Sequence, residues 1–378
     1  MNIERLTLSN YRNYREADVQ PCPGLNIIWG RNAAGKTNLL EAVMVASTGR
    51  SPRASRDSEL VKWNEEGFHV AVTVRRGGSA TAVEVGGDIS GRKVVRVNGR
   101  EKRVGDLLAN LNTVSFLPDD VLVVKGSPAR RRRLVDLLLA QGSPGYHYHL
   151  LQYQKVLLQR NALLRDVGGR RAAHDLNSLM EPWDRQLAGA GAFIMQRRAA
   201  ALATLSAEGA EVYSRMSGGE SLRLGYVPSV PLREEDDTAA ISARILGCLR
   251  ESRAEDLRRG ATTVGPHRDD ISFTVDGADA LVFGSQGQQR TIILAVKAAE
   301  VRYLQAKNGE APVLLLDDVF SELDDSRQAS VAREMAAGLQ CFITCTEMDT
   351  VEGMVREASI YRVEAGEVAL VDAAQGGA

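Results

Sequence analysis

The chain has few cysteines and no long apolar run, and these absences exclude several kinds of site and protein. Only four of its 378 residues are cysteines. Two of them, Cys341 and Cys345, lie in an apolar, strand-like stretch with a spacing that matches no common zinc or redox motif, so we expect these two to be core thiols. No apolar run approaches the roughly 18 residues that a membrane span needs. Residues 1–5 lack the basic start and apolar stretch of a signal peptide. We therefore expect a cytoplasmic protein that does not enter a membrane.

A large excess of charge of either sign is also missing, since the net charge is −1. The overall balance therefore does not indicate a nucleic-acid partner. Arginines are nevertheless clustered in two places, each able to bind a polyanion. We predict salt-dependent DNA contacts from them, although a solvated surface would explain the same pattern. The predicted DNA-binding residues are Arg50, Arg53, Arg56, Arg130, Arg131, Arg132 and Arg133.

A glycine-rich phosphate-binding loop lies near the start of the chain. Residues 30–37 fit G-x-x-x-x-G-K-[ST], between a short apolar strand at 25–29 and a helical pattern at 37–48. Backbone amides and the helix N-terminus would hold the phosphates of ATP. Lys36 would reach the β- and γ-phosphates, and the Thr37 hydroxyl would ligate Mg²⁺. The predicted loop residues are Gly30, Arg31, Asn32, Ala33, Ala34, Gly35, Lys36 and Thr37.

A second part of a nucleotide site follows the apolar run at 313–316. That run indicates a parallel strand buried on both faces, and it ends in Asp317 and Asp318. An acid at the tip of such a strand is the Walker-B arrangement. Asp317 is predicted to hold Mg²⁺ opposite Thr37, and Asp318 to polarise the attacking water as the catalytic residue.

A second anion-binding helix start is predicted just before the helical pattern at 291–305. Its nucleotide-contacting residues would be Ser285, Gln286, Gly287 and Gln288. One ATP cannot use two helix starts of one fold unit, because each needs its own end-on approach. A two-fold homodimer, in which ATP joins the two copies, resolves this. The run at 217–220 looks like the usual signature loop of ATPases that dimerise around ATP. A strand pattern follows it, however, and we interpret it as a turn.

The organisation of the chain follows from these patterns. We predict an α/β fold: a head with a mixed sheet and an antiparallel β subdomain around the phosphate-binding loop, plus a mainly helical second lobe. The resemblance of the combined motifs to those of ABC-class ATPases implies that this is a P-loop NTPase head of the ABC type. Residues 1–126 would form the N-terminal half of the head and 127–260 the helical lobe. Residues 261–378 would form the C-terminal half of the head, with the signature, Walker B and D-loop.

The combined motifs resemble those of the RecF family, bacterial recombination and gap-repair ATPases of the ABC/SMC class. The matching runs are 9–14, 24–26, 37–42, 49–53, 125–133, 265–270, 285–290 and 316–324. The resemblance implies ATP-dependent dimerisation on DNA and slow, resetting hydrolysis. It also implies work with RecO and RecR in loading RecA at single-strand gaps, in DNA repair, replication restart and the SOS response.

Two other functions fit a P-loop. A small-molecule kinase is one, although a kinase needs no signature run. An ABC transporter subunit is the other, but Asp318 stands where transporters have glutamate and Thr346 where they have the switch histidine. For His267, within the run at 265–270, we predict a structural role.

Overall fold

A computed structural model describes residues 1–168, 176–319, 338–348 and 358–373. The D-loop part of the predicted head, 320–324, lies outside these residues. Within the described ranges, no helix is both long and apolar enough to cross a membrane.

The described residues form both β-strands and α-helices, as expected for an α/β fold. The described strands are β1 (Asn2–Tyr11), β2 (Tyr14–Val19), β3 (Leu25–Trp29), β4 (Gly67–Arg76), β5 (Ser79–Asp88), β6 (Lys93–Val97), β7 (Arg100–Glu101), β8 (Thr113–Phe116), β9 (Leu222–Val227), β10 (Asp270–Val275), β11 (Ala278–Asp279), β12 (Val313–Asp317), β13 (Cys341–Cys345), β14 (Ala358–Glu364) and β15 (Glu367–Asp372). The described helices are α1 (Lys36–Thr48), α2 (Leu122–Lys125), α3 (Pro128–Gly142), α4 (Pro144–Gly168), α5 (Leu176–Ser217), α6 (Thr238–Glu251), α7 (Arg253–Arg259), α8 (Ala280–Phe283) and α9 (Gln286–Asn308).

The chain divides into two compact units. The first contains Met1–Val121, Arg215–Gly219 and Ile293–Ala378, and the second contains Leu122–Ser214 and Glu220–Ile292.

The first unit holds a mixed sheet that positions the nucleotide motifs. Its strand order is β15-β14-β3-β13-β12-β8, and all neighbours are parallel except β14 and β15. All five residues of β12 and of β13 are buried, as expected for strands covered on both faces. Because these strands are parallel, β3, β12 and β13 end at the same edge of the sheet. The glycine loop and the Walker-B acids therefore meet there.

An antiparallel sheet completes the first unit, with the order β2-β1-β4-β5-β6-β7. Buried residues alternate with more exposed ones along β4, as in a strand with one face on the core. The turn between β6 and β7 is formed by Asn98 and Gly99, at φ 50° and 72°. Both residues accept positive φ, which is why this pair favours a tight hairpin.

The second unit is mainly helical and contains a three-stranded antiparallel sheet, β11-β10-β9. Buried ion pairs join its helices: Arg160 on α4 donates to Asp184 on α5 at 2.7 Å and to Asp256 on α7 at 2.7 Å. All three side chains are fully buried. Such charges are tolerated in a core only when paired and hydrogen-bonded, so this cluster fixes the packing of three helices.

The unit boundaries differ in part from the sequence-based domain limits. The first segment of the first unit ends at Val121, five residues before the predicted limit at 126. The second predicted boundary, at 260, does not match, because residues 261–292 belong to the helical unit. The reason is that β10 pairs with β9 along its full length, from Asp270 opposite Val227 to Val275 opposite Leu222.

Candidate nucleotide-binding site

The predicted phosphate-binding loop joins β3 to α1. The ammonium group of Lys36 donates to the carbonyl oxygens of Gly30 at 2.7 Å and Arg31 at 3.1 Å, so the loop curls around the lysine. No side chain caps the first turn of α1. Its leading amides therefore remain directed at whatever lies beyond the helix end, where the dipole favours an anion.

Two loop positions are glycine because neighbouring atoms leave no room for a Cβ. A Cβ on Gly35 would lie 2.6 Å from the Asn13 side chain and 2.8 Å from the Tyr14 hydroxyl, and its φ is 123°. A Cβ on Gly30 would lie 2.2 Å from the carbonyl oxygen of Val363 on β14. The loop conformation therefore depends on both glycines.

Neighbouring strands hold the loop in place through contacts that the sequence did not reveal. The Asn13 amide donates to the Ala34 carbonyl at 2.7 Å, and the Tyr14 hydroxyl donates to the Gly35 carbonyl at 2.9 Å. The backbone amide of Gly366 also donates to Ala34 at 3.2 Å. Asn13 and Tyr14 lie within a run that carries the family resemblance, but spacing alone assigned them no role.

Asp317, one of the two predicted Walker-B acids, is the last residue of β12. The Thr37 hydroxyl donates to the Oδ1 atom of Asp317 at 2.9 Å, and the buried Thr344 hydroxyl donates to the same atom at 2.7 Å. Burial raises the pKa of Asp317, and the two hydroxyl donors and the charge of Arg53 oppose that rise. Asp318 follows in the left-handed backbone region, with φ 52°.

The same two acids act on Lys36. Burial lowers its pKa, while the charges of Asp318 and Asp317 act in the opposite direction. The described residues contain no cluster of three or more histidine, cysteine or acidic ligands. One carboxylate and one hydroxyl, 2.9 Å apart, instead fit Mg²⁺, which takes one or two protein oxygens and completes its shell with phosphates and water.

A cleft of about 740 Å³ opens beside the loop, a volume within the range of small-molecule sites. Its walls are the loop, the end of β13 and the turn after β14. The lining residues are Trp29, Gly30, Arg31, Asn32, Ala33, Ala34, Thr346, Arg362, Val363, Glu364 and Ala365.

A buried acid on α1 connects the helix to the turn between β1 and β2 and to the loop that follows the helix. Glu41 accepts two hydrogen bonds from Arg12, at 2.8 and 2.7 Å, and one from the Ser51 hydroxyl at 2.6 Å. Burial acts to raise the pKa of Glu41, but the Arg12 and Ser51 hydrogen bonds hold it below its ordinary value. Arg53 on this loop donates to Asn38 in the first turn of α1 at 3.3 Å, so it lies near the phosphate loop.

The predicted second anion site forms a helix start in the second unit. The Ser285 hydroxyl accepts from the Gln288 amide at 3.1 Å, and the Gln288 side chain accepts from the Ser285 amide at 3.0 Å. This reciprocal pair is a capping box at the start of α9. The Gln288 side chain also donates to Glu220 at 3.0 Å. Glu220 belongs to the rejected run 217–220, which forms the end of α5 and the turn that follows it.

The structure separates the predicted DNA-binding arginines into exposed and buried residues. The exposed residues are Arg50, Arg53, Arg56, Arg130 and Arg133. Arg132 is half-buried and donates to the Asp269 carbonyl at 2.6 Å. The prediction is wrong for Arg131, which is 3% exposed and donates to both carboxylate oxygens of Asp270, at 2.6 and 2.9 Å. A side chain held in this way cannot reach a phosphate backbone.

His267, for which the sequence predicts a structural role, is hydrogen-bonded through both ring nitrogens. Its Nδ1 atom accepts from the Tyr153 hydroxyl at 2.6 Å, and Nε2 donates to the Thr262 carbonyl at 3.0 Å, which corresponds to the neutral imidazole. The neighbouring Asp269 accepts hydrogen bonds from Tyr226 and from the Ser229 amide. The run 265–270 therefore ties β9, β10 and the helices of the second unit together.

These features define the class of the protein: an ABC-type ATPase head of the kind shared by RecF and SMC proteins, with a helical lobe. The family profile described as "RecF/RecN/SMC N terminal domain" matches residues 2–369. The chain is 40% identical to "DNA replication and repair protein RecF" of Heliobacterium modesticaldum and 39% identical to that of Geobacillus thermodenitrificans. The matches cover 97% and 98% of this chain, respectively, and 99% of each relative. The chain belongs to the RecF family.

Solved structures agree with this assignment. "Structure of the recombination mediator protein RecF-ATP in RecFOR pathway" has a TM-score of 0.91 at 36% identity, covering 98% of this chain and 97% of that one. The corresponding RecF-ATPrS structure has a TM-score of 0.90 at 37% identity, covering 98% of each chain. An SMC head from Pyrococcus furiosus, at TM-score 0.56 and 20% identity over 98% of this chain and 96% of that one, shares the fold alone. Family membership decides against the kinase and transporter alternatives.

Proposed function

We propose that this protein is an ATP-binding recombination mediator of DNA repair that switches between states by dimerising around ATP on DNA. The contact between Thr37 and Asp317, beneath the phosphate loop, is the observation on which this proposal depends. It pairs two hard oxygen donors beside the lysine that would hold the β- and γ-phosphates. The RecF structures with bound nucleotide, which cover nearly the whole chain, support the ATP-binding part.

Within this site, Thr37 and Asp317 would hold Mg²⁺, which supplies charge neutralisation at the phosphates when bound. Asp318 would orient and polarise the attacking water. Its side chain is one methylene shorter than glutamate, which is consistent with slow hydrolysis that resets the complex.

We place the signature residues 285–288 of one copy against the ATP held by the other. The apolar side chains just before them support an interface here. Leu281, Val282 and Phe283 are 40%, 61% and 74% exposed, and adjacent exposed apolar residues commonly mark a protein contact.

DNA would be contacted by the exposed arginines on the loop after α1 and on α3: Arg50, Arg53, Arg56, Arg130 and Arg133. Arg53 is also near enough to α1 to serve the nucleotide site. From the RecFOR pathway named for its structural relatives, we propose that the protein acts with RecO and RecR. The outcome of that cooperation would be the loading of RecA at single-strand gaps during repair, replication restart and the SOS response.

Sedimentation with and without Mg²⁺-ATP and a gapped duplex tests the switch. We expect the wild-type protein to dimerise only with ATP, and its ATPase rate to rise steeply with protein concentration and with DNA. Lys36→Ala should weaken nucleotide binding by roughly 100-fold, because a charge-assisted phosphate contact is lost, and should stay monomeric. Lys102→Ala removes an exposed lysine of the same unit and should behave as wild type. An ATPase rate that is independent of protein concentration and of DNA would contradict the proposal.

A further inference from the structure

One buried hydroxyl contacts both Walker-B residues. Thr344 lies on β13 and is fully buried. Its Oγ1 atom donates to the Oδ1 atom of Asp317 at 2.7 Å and accepts from the backbone amide of Asp318 at 2.9 Å. A single side chain is thus hydrogen-bonded to the carboxylate of one acid and to the backbone of the next.

The sheet register places the hydroxyl there. Strands β12 and β13 run parallel, and Asp317 is paired with Thr344 at the last step of their ladder. A threonine at this position faces the carboxylate across one strand spacing. The neighbouring side chains on β13, Ile343 and Cys345, offer no comparable group, because an alkyl chain cannot hydrogen-bond and a thiol does so weakly.

The two hydrogen bonds act on different degrees of freedom. The bond to Asp317 fixes the rotation of its carboxylate, with Oδ1 also receiving the Thr37 hydroxyl at 2.9 Å. The bond from the Asp318 amide holds the backbone at the point where φ is 52°, a conformation that costs energy for a residue with a Cβ. The direction of each acid therefore depends on the same oxygen atom.

We propose that Thr344 is a positioning residue that orients Asp317 toward Mg²⁺ and sets the direction of Asp318. This inference rests on the proposed role of Asp317 as a metal ligand. A hydroxyl is required because only a group that donates and accepts at once can make both contacts. Outer-shell partners of this kind typically change metal affinity by about 10- to 100-fold when removed.

The test is binding of a fluorescent ATP analogue, titrated with Mg²⁺ and repeated in EDTA. Thr344→Val keeps the shape and removes both hydrogen bonds. It should raise the Mg²⁺ concentration for half-maximal binding by roughly 10-fold, while binding in EDTA stays unchanged. Thr344→Ser should restore the wild-type value to within about threefold.

Thr113→Val is the matched control. Thr113 is a buried threonine of β8 in the same sheet, and its hydroxyl donates to Ser47 at 3.0 Å. It is paired with Val313, at the opposite end of β12 from Asp317, so the Mg²⁺ dependence of Thr113→Val should equal that of wild type. If Thr344→Val melts at a much lower temperature than Thr113→Val, the same Mg²⁺ titration is made with Thr344→Ala, which also lacks the hydroxyl.

Two results would overturn the inference. One is a Mg²⁺ dependence of Thr344→Val equal to that of Thr113→Val. The other is an equal loss of binding with and without Mg²⁺, which would indicate a purely structural role. The Asp317→Asn variant shows whether either result concerns Thr344 alone or also the metal role proposed for Asp317. If Asp317→Asn also keeps the wild-type Mg²⁺ dependence, the metal role of Asp317 is itself wrong.

Discussion

Single polar residues packed inside the second unit connect its stability to pH, and the half-buried His267 is the clearest case. It lies between the Tyr153 hydroxyl and the Thr262 carbonyl. Burial lowers its pKa to about 4, and the nearby charges of Arg268 and Arg132 act in the same direction. The Thr262 hydrogen bond and the charge of Asp256 oppose the shift without cancelling it. The folded protein therefore keeps this imidazole neutral well below neutral pH.

We predict that His267 makes the second unit less stable in mild acid. The unfolded chain binds a proton near pH 6.5, and the folded chain only near pH 4, so stability is lost as pH falls between these values. The expected loss between pH 8 and pH 5 is about 2 kcal/mol. Chemical unfolding of wild type and His267→Gln should show this difference, because glutamine makes similar contacts without titrating. Equal pH slopes for the two proteins would contradict the prediction.

The site residues found from the sequence were those of contiguous motifs. Lys36 and Thr37 belong to one local pattern, and Asp317 follows a recognisable buried strand. Asn13 and Thr344 were not assigned because their partners are distant in sequence and their positions depend on sheet register. A one-residue shift of β13 would turn Thr344 away from Asp317, and no local pattern records that register.

At the level of elements, α3 shows how a helix divides a run of like charges. Its buried residues include Arg131, Val135 and Leu138, which follow the i, i+4, i+7 spacing of one helical face. Arg131 therefore turns inward while Arg130 and Arg133 face solvent. This spacing was visible in the sequence, and applying it to the arginines would have removed Arg131 from the predicted DNA-binding set.

We predict that two arginines of this run contribute to different properties, Arg131 to stability and Arg133 to DNA binding. Arg131→Ala should lower the free energy of unfolding by about 2–3 kcal/mol, because it leaves Asp270 without its partner. The 32% exposure of Asp270 keeps the loss at or below the low end for a fully buried pair. Arg133→Ala should leave stability unchanged and lower the slope of log affinity for DNA against log salt by roughly one.

Thermal unfolding and DNA binding at several salt concentrations measure both effects. A stable Arg131→Ala protein with a reduced salt slope would show that Arg131 reaches DNA after all. Equal slopes for Arg133→Ala and wild type would remove Arg133 as a phosphate contact.

Elements with strong local signals were predicted well, and those set by long-range pairing were not. Proline at a first helical position is one such local signal, and α3 begins at Pro128. Within the predicted helical lobe, residues 238–259 form two helices, α6 and α7, separated at Ser252. The pairing of β9 with β10 joins segments more than 40 residues apart, so composition gave no sign that residues 261–292 belong to the helical unit.

At the scale of the whole molecule, the residues proposed to contact ATP are divided between the two units. Lys36, Thr37 and Asp317 belong to the first unit, and Ser285 and Gln288 belong to the second. In the structure, Ser285 already has a role as the cap of α9. A substitution at this position must therefore separate the capping role from the proposed contact with a second copy's ATP.

We predict that charge at Ser285 controls dimerisation independently of folding. Aspartate caps a helix as well as serine does, so Ser285→Asp should fold normally and bind ATP as a monomer. Its negative charge would repel the γ-phosphate held by the partner copy, and ATP-dependent dimerisation should be lost.

Ser285→Arg should also lose ATP-dependent dimerisation, because its side chain is too large for the contact, and should be about 1 kcal/mol less stable because the cap is removed. Ser285→Thr keeps both the cap and the hydroxyl and should dimerise like wild type. Sedimentation at several protein concentrations, with ATP present, distinguishes these results. If Ser285→Asp dimerises with ATP as well as Ser285→Thr does, then Ser285 does not approach the triphosphate, and the nucleotide cannot be what holds the two copies together at this helix start.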